Sequence, residues 1–308
     1  MDAPEISDLL VDYDPDTLAR LPVRRSAVVE RLRAAGRPGA ARLAARLPAR
    51  DDLLDEAAVD ALLLRVHAEL QRLSEEFDQG ERVRFVLAPL LDALRAAGAP
   101  RPLRVVDVGC GLGYVVRWLA ARGALGADVE LVGCDYNRAL IEAARAAASD
   151  EGLPCRFHVA NAFTLREPAT VFLSTGVVHH FRGDALVSFF REQARAGALA
   201  FIHFDIKPSH LSPLGAWIFH QARMREPLSR HDGVLSALRA HAGDALLAAA
   251  RAGAEGLSSA LFDGHVGPFP VLRIMHAVIG LRPDLRARFV DQLERLGPRG
   301  GRRLGAFS

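Results

Sequence analysis

The residues best suited to chemistry lie in the run Val105-Val106-Asp107-Val108-Gly109-Cys110-Gly111-Leu112-Gly113-Tyr114. A β-branched stretch enters three glycines spaced G-x-G-x-G, and a helix-forming stretch follows. Glycines after a strand permit a tight turn and let a ligand approach the backbone closely. Tyr114 stands where the dinucleotide pattern G-x-G-x-x-G requires its last glycine. Asp107, just before the loop, would sit poorly beside a pyrophosphate and well beside an ammonium group. Asp135 closes the next apolar run, Val129–Cys134, about twenty residues beyond the loop, a place from which a carboxylate accepts hydrogen bonds from ribose hydroxyls. Asp135 could instead cap the helix that follows, as could Asn137.

Candidate proton acceptors are His179 and His180, which follow a fourth apolar run, with His180 taken first; His220 and His231 lie further on. Residues 207–232 form a long connection rich in apolar and cationic side chains. Trp217, His220, Arg223, Arg230 and His231 are its candidate substrate-binding residues, the arginines suiting a carboxylate or phosphate. Packing of Trp217 on the N-terminal helices is the competing reading. Arg82 and Arg84, ahead of the glycine loop, are either ligand contacts or surface charges. Cys110, Cys134 and Cys155 have no C-x-x-C spacing, so inert thiols are expected and no metal site.

These groups need a scaffold. From Leu103 onward strands and helices alternate: strands at Leu103–Val108, Val129–Cys134, Cys155–Val159, Thr170–Ser174 and Ala198–Asp205, helices at Tyr114–Arg122, Asn137–Ala148, Asp184–Ala196 and Gly233–Ala252. Two late strands are predicted near Leu257–Phe262 and Val271–Ile279. This alternation specifies an α/β fold with a mostly parallel sheet and helices on both faces. Residues 1–100 read instead as an all-helical cap. Asp51-Asp52 are placed to cap a helix running to about Asp78, Gly80 is placed to stop it, and a second helix spans Glu81–Ala97. The expected division is 1–100, as a lid or a homodimerisation surface, and 101–308, with the segment 207–232 inserted.

The combination of Asp107, Gly109, Gly111 and Gly113 with Asp135, and then Ala160-Asn161-Ala162-Phe163 after the third strand, resembles class I SAM-dependent methyltransferases. The fourth-strand segment Ser174-Thr175-Gly176-Val177-Val178-His179-His180-Phe181 resembles the SNGVLHHF type of many small-molecule methyltransferases. The resemblance covers roughly residues 101–280 and implies a Rossmann-like fold with S-adenosyl-L-methionine (SAM) as cofactor and S-adenosyl-L-homocysteine as product. It implies contacts from Asp107, the three glycines, Asp135, Tyr136, Asn161, Ala162, Phe163 and Thr175. Asn161 departs from the family's usual acid there, but an amide can both donate to and accept from an adenine edge.

The acceptor implied is a small molecule, with specialised metabolism as the setting. Two rival readings keep the cofactor: cyclisation or aminocarboxypropyl transfer, and methylation of RNA or protein. The second needs a concentrated basic face. The formal net charge is only +2, and all the basic residues but Lys207 are arginines scattered among acids. The fourth strand also lacks an Asn-Pro-Pro-Tyr type motif. A SAM-binding scaffold without activity is a further rival, opposed by the intact glycines and Asp135. No run approaches the ~20 apolar residues that span a bilayer. The acidic N-terminus lacks a signal-peptide layout, so a cytoplasmic location is expected.

Overall fold

The computed structural model describes residues 4–210, 212–263, 275–296 and 304–307. Its main sheet grows from the β-branched and aromatic runs: β1 (Leu103–Val108), β2 (Val129–Asp135), β3 (Cys155–Val159), β4 (Val171–Thr175), β5 (Ala200–Ile206), β6 (Ser258–Phe262) and β7 (Met275–Leu281). The strand order is β3-β2-β1-β4-β5-β7-β6. The pairs β1·β2, β2·β3, β1·β4 and β4·β5 are parallel, whereas β7 is antiparallel to both β5 and β6. An antiparallel strand wedged beside β5 separates this sheet from the dinucleotide-binding order 3-2-1-4-5-6. Of the late strand expected at Val271–Ile279, positions 271–274 lie outside the described residues.

Strand alternation sends side chains to two separate cores. On one face Val105, Leu173 and Ile202 pack against Leu87 and Leu90 of the helix Gln79–Ala96, Leu119 of Tyr114–Arg122, Ile141 of Arg138–Asp150 and Phe289 of Arg286–Arg295. On the other, Val106, Phe172 and Phe201 meet Phe189 and Phe190 of the helix Asp184–Arg195 and Leu246 and Ala250 of Gly243–Gly253. The second face also buries polar groups. His203 stacks on Phe201 at 5.2 Å; its Nδ1 lies 2.9 Å from Ser174 Oγ and its Nε2 2.9 Å from Gln193 Oε1. The carboxamide oxygen can only accept, so Nε2 carries the hydrogen and Nδ1 accepts from the serine hydroxyl.

The chain divides into two compact units, 1–72 with 208–240, and 73–207 with 241–308. The boundary expected at residue 100 therefore moves. The helix Gln79–Ala96 belongs to the sheet unit, because Val83, Val86, Leu87, Leu90 and Leu94 are all buried in the first core. Gly80 does not end a helix but lies within this one, where a Cβ would come 2.3 Å from Trp118. In the helical unit, Asp52 accepts from Ser26 N and Asp55 caps the helix Glu56–Glu76, accepting from Ala58 N at 2.8 Å. This unit also holds two short antiparallel pairs, Asp12–Tyr13 with Arg20–Leu21 and Ala49–Arg50 with Leu53–Leu54, so it is not all-helical. The long connection is not a loop but the helices Ser212–Arg223 and Pro227–Arg239, and the helix expected at Gly233–Ala252 is split at 240–242. The helical unit's core takes in Ile6, Leu32, Ala44, Leu63 and, from the inserted segment, Leu228. No helix among the described residues is long and apolar enough to cross a membrane.

Burial pushes His203 from its ordinary 6.5 down to about 3, so the folded ring stays neutral where an unfolded chain would take a proton. Its contribution to stability is complete above pH 6.5 and is lost progressively as pH falls from 6.5 toward 3, at ~1.4 kcal/mol per pH unit. Burial shifts His158, His220, His241 and His276 in the same direction. Urea unfolding at a series of pH values should show stability falling below pH 6.5, with a slope made shallower by His203→Phe. An unchanged slope in that variant would contradict a neutral, buried His203.

Candidate functional site

The order of strands reverses at β1, which pairs with β2 on one side and β4 on the other. Ligands of open α/β sheets bind at the carboxyl ends of strands at such a point. The carboxyl ends of β1, β2, β3 and β4, with the turns that follow them, carry Asp107 to Gly113, Asp135 to Asn137, Ala160 to Phe163, and Thr175 to His180, respectively. The residues singled out in the sheet unit are therefore brought to one edge.

Gly109, at φ +73°, has Val177 where a Cβ would be, 2.8 Å away, and Gly113, at φ +71°, has the Phe157 ring 2.3 Å away. Left-handed backbone and the absence of room both exclude larger residues. The loop is tied down by its amides: Gly109 N and Cys110 N donate to Cys134 O at 2.8 and 3.0 Å. Asp135 Oδ2 accepts from Gly111 N at 3.0 Å and Oδ1 from Asn137 N at 2.9 Å. Asp135 is thus not the helix cap. Asn137 is, accepting from Ala139 N and Leu140 N.

Asp107 is 2% exposed and its Oδ1 has no hydrogen-bond partner. Burial, with repulsion from Asp135 added, pushes its carboxyl well above the usual range. Two buried carboxyl groups that repel one another call for a cation. Tyr136 and Phe163 are exposed at the same edge. Asn161 Oδ1 accepts from Phe163 N at 2.9 Å, and Phe163 meets Phe181 edge-on at 4.8 Å. Ala162 is half-buried at that turn and Thr175 at the end of β4. Of the two early arginines, Arg84 pairs with Glu81, while Arg82 is buried with Nε donating to Phe77 O at 2.7 Å. Burial raises the Cys110 and Cys134 thiols, which suits unreactive groups.

A residue that sequence reasoning missed is Asp205, near the end of β5 and 1% exposed. Its Oδ2 accepts from His179 N at 2.8 Å, and its Oδ1 lies 2.7 Å from His179 Nδ1 and 2.6 Å from Ile206 N. These bonds and the charge of His179 hold the Asp205 carboxyl below its ordinary value although burial opposes them. The signal available was an acid at a strand's carboxyl end, in a run whose other polar residue is His203, with a histidine pair in the preceding turn.

Residues 105–197 match a family model described as a methyltransferase domain. The matched stretch contains the glycine loop, Asp135 and the turn Val178–His180. A curated relative, the ubiquinone biosynthesis O-methyltransferase of Brucella anthropi, is 30% identical over 159 residues. That match covers 47% of this chain and 62% of the relative, so the chain spans about three fifths of that protein's length. Among solved structures, the plantazolicin methyltransferase BamL is 14% identical with a TM-score of 0.47, over 72% of this chain and 96% of that one. A SAM-dependent methyltransferase from Aquifex aeolicus is 14% identical with a TM-score of 0.42, over 64% and 92%.

The segment 208–240 lies in the helical unit. There His220 is buried, its ring occupying the space beside Gly233, where a Cβ would come 2.0 Å from it. Arg230 Nε donates to Met224 O at 2.8 Å, and His231 Nδ1 is 2.8 Å from Asp232 Oδ1. Trp217 is 53% exposed and Arg223 is exposed.

A bound ammonium group would keep Asp107 ionised, whereas the free protein holds this carboxyl raised. Cofactor binding should therefore release a proton and tighten as pH rises. Calorimetry of SAM binding in buffers of different ionisation enthalpy should give buffer-dependent heats in the wild type and buffer-independent heats in Asp107→Asn. Buffer-independent heats in the wild type would count against this role of Asp107.

Proposed function

We propose that the chain transfers the methyl group of SAM to a small-molecule acceptor. The observation that carries this is the buried Asp107 with its unpartnered Oδ1 beside Asp135, at the edge where strand order reverses. A cationic ligand with a ribose answers both acids. Asp107 would hold the amino group and Asp135 the ribose. The loop Gly109, Gly111 and Gly113 would accept the ligand at close range, with Tyr136, Asn161, Ala162, Phe163 and Thr175 lining the adenosyl side. The cofactor supplies an activated methyl on a sulfonium. The chain's own residues then have two tasks: to orient the acceptor's nucleophile and to take up its proton.

His179 and His180, in the turn Val178–His180 after β4, are the groups suited to the second task. For the first we assign Trp217 and Arg223, the exposed members of the inserted segment, which suit an aromatic or apolar acceptor bearing an anionic group. The name of the Brucella anthropi relative supports a small acceptor methylated on oxygen. The balanced charge, +2 overall, supports a small molecule over a nucleic acid.

Titration of the full chain with SAM should show micromolar binding, weakened at least about tenfold (~1.4 kcal/mol) by Asp135→Ala. Incubation with SAM and a panel of phenols, carboxylic acids and amines should release S-adenosylhomocysteine. Methylthioadenosine as the only product would replace methyl transfer by cyclisation or aminocarboxypropyl transfer. A folded protein that does not bind SAM would end the proposal.

A further inference from the structure

In the helical unit, the helix Ser212–Arg223 packs on the helix Pro227–Arg239. Its inner side is occupied. The His220 ring lies against Gly233, Phe219 meets that ring edge-on at 5.9 Å, and Met224, just past the helix end, is buried. The outer side differs. Leu214, Trp217 and Ile218 recur at steps of three and four and so share one face. They are 57%, 53% and 55% exposed. Gln221 and Ala222 continue that face and are exposed as well. None of these residues is charged, whereas the solvent side of a helix is ordinarily its charged side. A contiguous apolar patch of this kind marks a docking surface.

Charge decides what the patch accepts. From Pro208 to Arg225 the sequence holds no acid, and Arg223 and Arg225, where the helix ends, are exposed. The next acid, Glu226, is already answered by Arg65, whose Nε donates to it at 2.6 Å. In a twofold dimer through this face the patch would meet itself, setting the arginines of one copy against those of the other with no acid between them. A helical or extended peptide needs a groove or a free sheet edge. Side chains more than half exposed on one helix project outward instead. A bilayer with anionic headgroups answers each feature: its acyl chains take Leu214 and Ile218, its interface suits an indole, and its phosphates suit arginines. With 12 residues the helix is too short to cross the membrane and would lie along its surface.

We propose that the helix Ser212–Arg223 docks this chain on an anionic lipid bilayer. Leu214, Trp217 and Ile218 enter at the headgroup boundary, and Arg223 and Arg225 lie on the lipid phosphates. Trp217 and Arg223 are shared with the acceptor assignment above; Leu214 and Ile218 are not. Docking does not rest on the methyl-transfer reading, since neither SAM nor an acceptor takes part in it.

The test is sedimentation of the full chain with vesicles of phosphatidylcholine, alone or mixed equally with phosphatidylglycerol, in the absence of SAM. The chain should pellet with the anionic vesicles and bind the neutral ones at least about tenfold more weakly. Leu214→Ser combined with Ile218→Ser should weaken binding about tenfold or more. Arg225→Gln should weaken it about fivefold at low salt. Circular dichroism of each variant should match the wild type. Brominated acyl chains should quench the wild-type indole emission, a readout that needs no variant to fold, and Trp217→Phe should lose that quenching. Absence of binding to either vesicle overturns the proposal, as does equal binding to both. Binding that survives the loss of Leu214 and Ile218, or a wild type that pellets without quenching, overturns it too. A dimer in sedimentation velocity that the same double variant dissociates would give the face to a second copy and end the lipid assignment. A chain that docks on anionic vesicles but binds no SAM keeps this proposal and loses the methyl-transfer reading; the opposite result does the reverse.

Discussion

Two acids, Asp107 and Asp135, stand on adjacent strands with almost no access to solvent. Each disfavours the charge of the other, and one oxygen of Asp107 has nothing to bond. A fold tolerates such an arrangement only when the surrounding structure is rigid enough to impose it and a ligand relieves it. The rigidity is visible in the glycine loop, whose amides are consumed by Cys134 O and Asp135 and whose glycines touch Val177 and Phe157. Asp135 therefore braces the loop while standing beside Asp107.

The same pattern recurs at β5. Asp205 is buried, but unlike Asp107 it is satisfied by hydrogen-bond donors of the chain. The contrast between the two acids is informative. One is completed internally and supports a turn; the other is left with an oxygen unpartnered. Sequence places both in the same context, near the end of an apolar strand, and only their partners tell them apart.

This explains what could be read from the chain in advance. The sheet from Leu103 to Ile206 was legible because β-branched runs, a glycine loop and amphipathic helices alternate at regular intervals. The gathering of Asp107, Asp135, Asn161 and Thr175 at one edge of the sheet was legible because these residues lie at or after strand ends in local motifs. The partnership of Asp205 with His179 was not, since it joins two strand ends 26 residues apart through side chains alone. Nor was the allegiance of 208–240, because amphipathic helices announce that they need a partner without saying which. Asp51 and Asp52, good capping residues by type, adopt left-handed backbone in a turn, and Asp55 does the capping. The break at 240–242 has neither proline nor glycine ahead of Gly243 to mark it.

The helical unit is assembled from two stretches of chain separated by most of the sheet. Its buried Glu5 accepts from Ser236, and the amides of Ile6 and Ser7 from the first stretch donate to Asp232 in the second, while Asp8 pairs with Arg239. On a ribosome adding about 5–20 residues per second, the first stretch waits roughly ten to thirty seconds for these partners. During that interval Ile6, Leu10, Val28 and Leu32 have no Leu228 to complete their core. The sheet unit gains its first five strands in that same period. The helical unit is thus complete once residue 240 is made, before the sheet unit has its β6 and β7, but its first stretch stays apolar and uncovered throughout the synthesis of β1 to β5.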